Sequence, residues 1–166
     1  TLETSLDTVS KLCVDAVTAA GNADNVRVLS LPGGSIDDSY LFNGVVLNKD
    51  LVGGSDGESS SKPNPCLLLN TGLEMTKSED NVQVQLDAQT YQSFKDSGKN
   101  DLIDRAETVY ALLNVMEDEE GIIFVRDGVA ESVVAYLKKR NIKVVHRLPE
   151  SSMKALSNAL GIAIVI

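Results

Sequence analysis

The 166 residues carry 15 Lys and Arg against 24 Asp and Glu, a formal net charge of −9 at pH 7. That balance opposes general attraction to nucleic acid or anionic lipid, and the length suits one domain plus a short appendage, burying about 70% of the unfolded surface. A single histidine, His146, and two distant cysteines, Cys13 and Cys66, exclude a zinc site or a disulfide framework; both thiols lie in apolar contexts and are expected to be buried.

In chain order, Leu2, Leu6, Val9, Leu12, Cys13, Ala16, Val17 and Ala20 recur at three and four residues, which predicts an amphipathic helix ended by Gly21. A strand is expected at Val26 to Leu31, broken by Pro32, Gly33, Gly34 and Ser35, and a second at Leu41 to Asn48 around Val45, Val46 and Leu47. The Gly- and Ser-rich stretch from Lys49 to Pro65 reads as a loop. Cys66 to Leu69 form a buried strand pattern, and Val82, Val84 and Leu86 alternate with glutamines as a half-exposed one. A short helix is expected at Ala88 to Phe94, interrupted over Asp96 to Asn100 before a second helix carrying Leu102, Ile103, Ala106, Val109, Tyr110 and Leu113. That helix should stop before the acidic run Glu117 to Glu120, which its dipole disfavours.

The most regular part of the chain is Gly121 to Ile166, which reads as two successive strand, helix, strand crossovers. Gly121 to Val125 is one apolar run; Ala130, Val133, Val134 and Leu137 have helical spacing; Ile142, Val144 and Val145 resume a strand. Ser151 and Ser152 are expected to cap a helix with Met153, Leu156 and Leu160, which Gly161 releases into a last strand from Ile162 to Ile166. Strands this apolar need cover on both faces, so the expected class is α/β, a mostly parallel sheet flanked by helices. No apolar run reaches the length of a membrane span, and no signal peptide is visible. Thr1 at one end and a strand pattern reaching Ile166 at the other suggest a segment of a longer protein.

Chemistry is sparse. Gly33, Gly34 and Ser35 follow a strand pattern but match neither a P-loop nor a dinucleotide fingerprint, so a tight turn is expected there. Asp37 and Asp38 read as a solvated helix start, and no nucleophile elbow surrounds a serine that could join Asp38 and His146 in a triad. On the helix from Val129 to Arg140, placing Ala130, Val133, Val134 and Leu137 inward gathers Ser132, Ala135, Tyr136 and Lys139 on the opposite face. That face is either simply solvated or a mixed polar and apolar ledge for a protein ligand.

The run Leu31-Pro-Gly-Gly-Ser-Ile-Asp-Asp-Ser39 and the following Leu41-Phe-Asn-Gly-Val-Val-Leu-Asn-Lys-Asp50 resemble the start of the apical domain of group II chaperonins, the family of TRiC/CCT and the thermosome. Lys11-Leu-Cys-Val-Asp-Ala-Val17 resembles the intermediate-domain helix before it. Pro65-Cys-Leu-Leu-Leu-Asn-Thr-Gly-Leu-Glu74, Gly128 to Ile142, Val144-Val-His-Arg-Leu148 and Met153-Lys-Ala-Leu-Ser-Asn-Ala-Leu-Gly161 are similar to later family segments in the right order, so the resemblance covers nearly the whole chain.

The resemblance implies an intermediate-domain helix segment over 1–24, an apical substrate-binding domain over 25–166 and a helical protrusion near 87–105. It implies binding of non-native polypeptides by Ser132, Ala135, Tyr136 and Lys139 together with Leu51 and Val52 at the start of the loop. It further implies neighbouring subunits in a ring, a cytoplasmic location, and no catalysis by this segment, while the parent subunit would use ATP and Mg; the Gly-Asp-Gly-Thr loop of the equatorial domain is absent here. Two other readings stand beside it. One is a chaperonin-like docking module in a larger signalling protein such as a phosphoinositide kinase of the PIKfyve type, and the other a small α/β enzyme holding an anion at the Gly33-Gly34 turn.

Overall fold

A computed structural model describes residues 2–53, 63–75, 87–115 and 119–166. Its sheet has four strands, β1 (Cys66–Leu69), β2 (Gly121–Val125), β3 (Ile142–Val145) and β4 (Ile164–Val165), in the order β3-β2-β1-β4 with every pairing parallel. The register sets Leu68 beside both Phe124 and Ile164, and Phe124 beside Val145. Because parallel neighbours need crossovers, each connection carries a helix. These are α2 (Ala88–Leu113), α3 (Glu131–Lys138) and α4 (Glu150–Leu160), preceded at the start of the chain by α1 (Leu2–Ala20).

The alternation along each strand feeds two separate cores. On one face Leu69, Ile123, Val125, Ile142 and Val144 pack with Leu102, Ala106, Val109 and Leu113 of α2 and with Val133 and Leu137 of α3. On the other, Leu68 and Val145 pack with Leu148 and with Met153 and Leu156 of α4, joined by the half-buried Val45, Leu47, Phe124 and Ile164. The expected sandwich of helices on a parallel sheet is the observed one. One strand position breaks the apolar rule: Lys143 on β3 is 8% exposed and holds Glu120 Oε2 at 2.8 Å. Losing Glu120 would leave that ammonium buried without its partner, the costly case for a buried ion.

Helix ends follow their signals. Gly21 (φ 70) and Gly161 (φ 66) take the left-handed conformation after α1 and α4, and Asn114 (φ 49) does so after α2, which therefore stops before the acidic run.

Several expectations are corrected. Val26 to Leu31 and Leu41 to Asn48 form no strand: a strand exists by pairing, and among the described residues nothing pairs with either stretch. Val45 and Leu47 still turn inward while Val46 is exposed. The face of α1 finds no deep cover, with Leu6 62% and Val14 65% exposed, and Cys13 is exposed rather than buried. Cys66 is half-buried, and burial pushes its thiol above the ordinary value. Pro149, not Ser151 or Ser152, occupies the cap position of α4, and Ser152 is 8% exposed inside the first turn. The strand expected at Val82 to Leu86 and residues 54–62 of the loop lie outside the described residues.

The expected break over Asp96 to Asn100 is also absent, because α2 runs unbroken through it. Asp87 caps the helix by accepting a hydrogen bond from Thr90 N at 2.7 Å, Gln92 Nε2 donates to Asp96 Oδ1 at 3.1 Å one turn on, and Met75 lies against Gly98. A β-carbon at Gly98 would stand 2.6 Å from the Met75 methyl, the free end of a flexible side chain. Gly98→Ala is therefore expected to stabilise this part of α2 by about 0.5–1 kcal/mol. Amide hydrogen exchange over residues 92–100 checks it, and unchanged protection would mean that displacing Met75 cancels the gain.

Candidate functional site

The helix α3 is set in place from both ends. After β2 the chain is stitched to the exit of β1, Leu73 N donating to Gly128 O and Ala130 N to Leu73 O, each at 2.9 Å. Val133 and Leu137, both 0% exposed, then fasten the helix to the sheet and to α2. Glu131 in the first turn and Lys138 in the last complement the helix dipole. Asn141 (φ 58) reverses the chain into β3, its N–H bonded to Lys138 O at 3.1 Å.

Of the four residues expected on the outer face, Ala135 and Lys139 are exposed, Ser132 is half-buried beside them, and Tyr136 turns aside. Its ring packs against the α2 and α3 core, with the Arg140 guanidinium 3.7 Å above the ring centroid and also 5.6 Å from the Tyr110 ring of α2. Arg140 Nη1 donates to Tyr136 O at 3.3 Å, which fixes the guanidinium over the seam between the helices. Burial raises the Tyr136 phenol above its ordinary value, while the Arg140 charge pulls the other way. The outward ledge is thus Ala135 and Lys139 with Ser132 half-buried at its side, the exposed Glu131 and Lys138 flanking it and Tyr136 at its margin.

The start of the loop lies against the same unit. Val52 exchanges two backbone hydrogen bonds with Val144, at 2.8 and 2.9 Å, an antiparallel bridge that covers the open edge of β3. Gly53 (φ 93) follows, and a β-carbon there would meet Ile142 O at 3.4 Å and Lys138 Cβ at 3.6 Å. Leu51 is 41% exposed and Val52 half-buried. The helix residue that this backbone meets is therefore Lys138, absent from the expected set. Its signal in the sequence is the glycine pair at the loop start.

The Gly33-Gly34 turn (φ 96 and 74) leads into a short 3-10 turn over Ile36–Asp38. Asp38 Oδ2 accepts from Ser35 N at 2.6 Å and from Ser35 Oγ at 3.0 Å, and these bonds hold its carboxyl below the ordinary value. An incoming anion would meet a carboxylate here in place of the Ser35 amide. Among the described residues, no group of three His, Cys, Asp or Glu is placed to hold a metal, and no helix is long and apolar enough to cross a membrane.

With this geometry in hand, comparison with known proteins is decisive for the family: the sequence profile of the TCP-1/cpn60 chaperonin family matches residues 1–166. The chain belongs to that family. It is 32% identical over 165 residues to thermosome subunit 1 of Haloferax volcanii, covering 96% of this chain and 28% of that protein. T-complex protein 1 subunit eta of Arabidopsis thaliana is 28% identical over 156 residues, covering 90% and 27%. The chain thus spans under a third of these chaperonin relatives. The fold is similar to that of an open-state monomer of a group II chaperonin from Methanococcoides burtonii, with a TM-score of 0.59 at 22% identity, covering 98% of this chain and 35% of that one.

The seam between α2 and α3 yields a test. Replacing Arg140 by Ala removes the one effect of Arg140 that lowers the phenol, so Tyr136 should titrate at still higher pH. An ultraviolet titration of tyrosinate in Arg140→Ala against the parent chain reads this. A downward shift would mean that the exposure gained by Tyr136 outweighs the lost charge.

Proposed function

We propose that this chain is the apical, polypeptide-binding part of a chaperonin subunit, with residues 1–24 as the end of its intermediate domain. The observation that carries the reading is that Ala135 and Lys139, with the half-buried Ser132 beside them, are exposed along a helix that buries Val133 and Leu137 on its opposite side and whose last turn meets the anchored loop start at Gly53. A rigid helix presenting a small apolar residue between a hydroxyl and an ammonium suits extended, partly apolar segments of mixed sequence. Tyr136 at the margin of the ledge, and Leu51 and Val52 at the loop start that reaches Lys138 through Gly53, would add apolar surface.

The mechanism is recognition without bond making. Each contact gains little after the ordering of a flexible client is offset, so binding at one subunit is weak, and a ring of such subunits recovers affinity through multivalency. The N-terminal half of α2, with Tyr91 56% exposed, supplies the helical protrusion. ATP and Mg would act in another part of the parent subunit. The residues here do not fit them, since the Gly-Asp-Gly-Thr loop is absent and the Gly33-Gly34 turn gives the Ser35 amide to Asp38.

The test is light scattering of a heat-denatured client with the parent chain and with an Ala135→Glu, Lys139→Glu variant, both sites being exposed so that the fold, followed by circular dichroism, is kept. The parent chain is expected to suppress aggregation and the variant to lose at least about half of that effect, since each introduced carboxylate must be desolvated under an apolar client. Equal suppression by the two would remove the ledge from client binding.

A further inference from the structure

A second concave surface lies over the carboxyl ends of β1, β2 and β3, away from the ledge. It is a cleft of about 920 Å³ bordered by the strand exits at Thr71 to Glu74, Arg126 to Gly128 and Arg147 to Glu150, with Lys49 and Arg105 at its sides. Carboxyl-end crevices of open parallel sheets are where such folds place ligands. The chain as a whole is acidic, at −9 with five arginines in the sequence, yet three of those five, Arg105, Arg126 and Arg147, border this one cleft.

The pairing of its charges is uneven. Arg126 is committed: its guanidinium bonds Asp127 Oδ2 at 3.1 Å and Asn70 Oδ1 at 3.0 Å. Glu150 is held by Lys154 at 2.7 Å. Among the described residues, Lys49, Arg105 and Arg147 form no salt bridge, and the remaining carboxylate in the cleft is Glu74, which lies against Gly128. The cleft lining thus holds four cations against three acids, and three of the cations, Lys49, Arg105 and Arg147, stand outside any salt bridge among the described residues.

The backbone there is also specialised. Arg147 is a non-glycine residue in the left-handed region (φ 56), held by Arg147 N to Asp127 O at 2.9 Å and Leu148 N to Val125 O at 3.2 Å. Left-handed arginine is uncommon, and such positions cluster at functional sites. A β-carbon at Gly128 would displace the Glu74 carboxylate, the free end of a flexible side chain, whereas one at Gly72 would come within 3.1 Å of Gly128 O, so at Gly72 the floor of the cleft is close-packed backbone.

We propose that this cleft binds a multivalent oxyanion, with Arg147 and Arg105 as its principal ligands and Lys49 in support. Planar guanidinium groups match phosphate and carboxylate oxygens in pairs, which a solvated acidic surface elsewhere on the chain cannot do. The shared chemistry is two or more oxyanions on one ligand, whether a free phosphorylated compound or a run of peptide carboxylates. The inference is independent of client binding at α3.

Pyrophosphate titrated into the 166-residue chain, followed by backbone amide shifts, is expected to move Gly72, Gly128 and Arg147 with millimolar or tighter affinity. Arg147→Gln and Arg105→Gln lie on different elements, and each is expected to weaken binding about ten-fold, the scale of one charge-assisted hydrogen bond. Glu74→Gln is expected to strengthen it. A hexaglutamate peptide that displaces pyrophosphate would identify carboxylate runs as a source, and one that does not would leave phosphorylated compounds; both results keep the site. No shift in the cleft with either probe overturns the proposal, as does pyrophosphate binding that survives both arginine substitutions.

Discussion

Parallel pairing of β1, β2 and β3 is the constraint from which the rest of the architecture follows. Parallel neighbours cannot be joined by tight turns, so a helix must cross between each pair, and right-handed crossovers fix which face it covers. Stepping from β1 to β2 and on to β3 in one direction lays α2 and α3 on the same face. The return from β3 across the sheet to β4 sends α4 to the other. Two cores result, and the apolar residues of β2 divide between them, Ile123 and Val125 to one side and Phe124 to the other.

That arrangement decides what α3 can present. With Val133 and Leu137 spent on the sheet and Tyr136 packed toward α2 beneath Arg140, the outward side is left to Glu131, Ala135, Lys138 and Lys139, with Ser132 half-buried beside them. The edge of β3, which would otherwise be an open template, is covered by Val52, and this same bridge brings the loop start to the end of α3. Edge protection and site assembly are one feature here. The carboxyl ends of the strands gather Arg126 and Arg147 by the same logic, since loops leaving parallel strands emerge on one side.

The sequence was readable where a pattern is enforced by two buried faces. The runs at Gly121 to Val125 and Ile142 to Val145 could be strands only in a covered sheet, and the stripe from Leu102 to Leu113 could pack only inward. It was unreadable where structure depends on partners. Val26 to Leu31 has the composition of a strand, yet no described neighbour pairs with it, and Val28 is 92% exposed. Ser97 and Gly98 read as a helix break, but a cap at Asp87 and the cover of Met75 carry the helix through. On α3, Ala135 and Lys139 are exposed as the periodicity predicts, while Ser132 is half-buried. Tyr136 sits at the margin of that face, and its inward turn depends on Tyr110 and Arg140, a contact between helices that no local pattern encodes.

Whether a client rests on the outward side of α3 can be read by placing a photo-crosslinking residue at Ala135 and, separately, at Lys154 on the opposite face of the sheet. Both positions are exposed, so the two chains differ in where the probe stands and not in its freedom. With a denatured client, crosslinks are expected from position 135 and few from position 154. Equal yields, or a preference for position 154, would contradict a client site on α3.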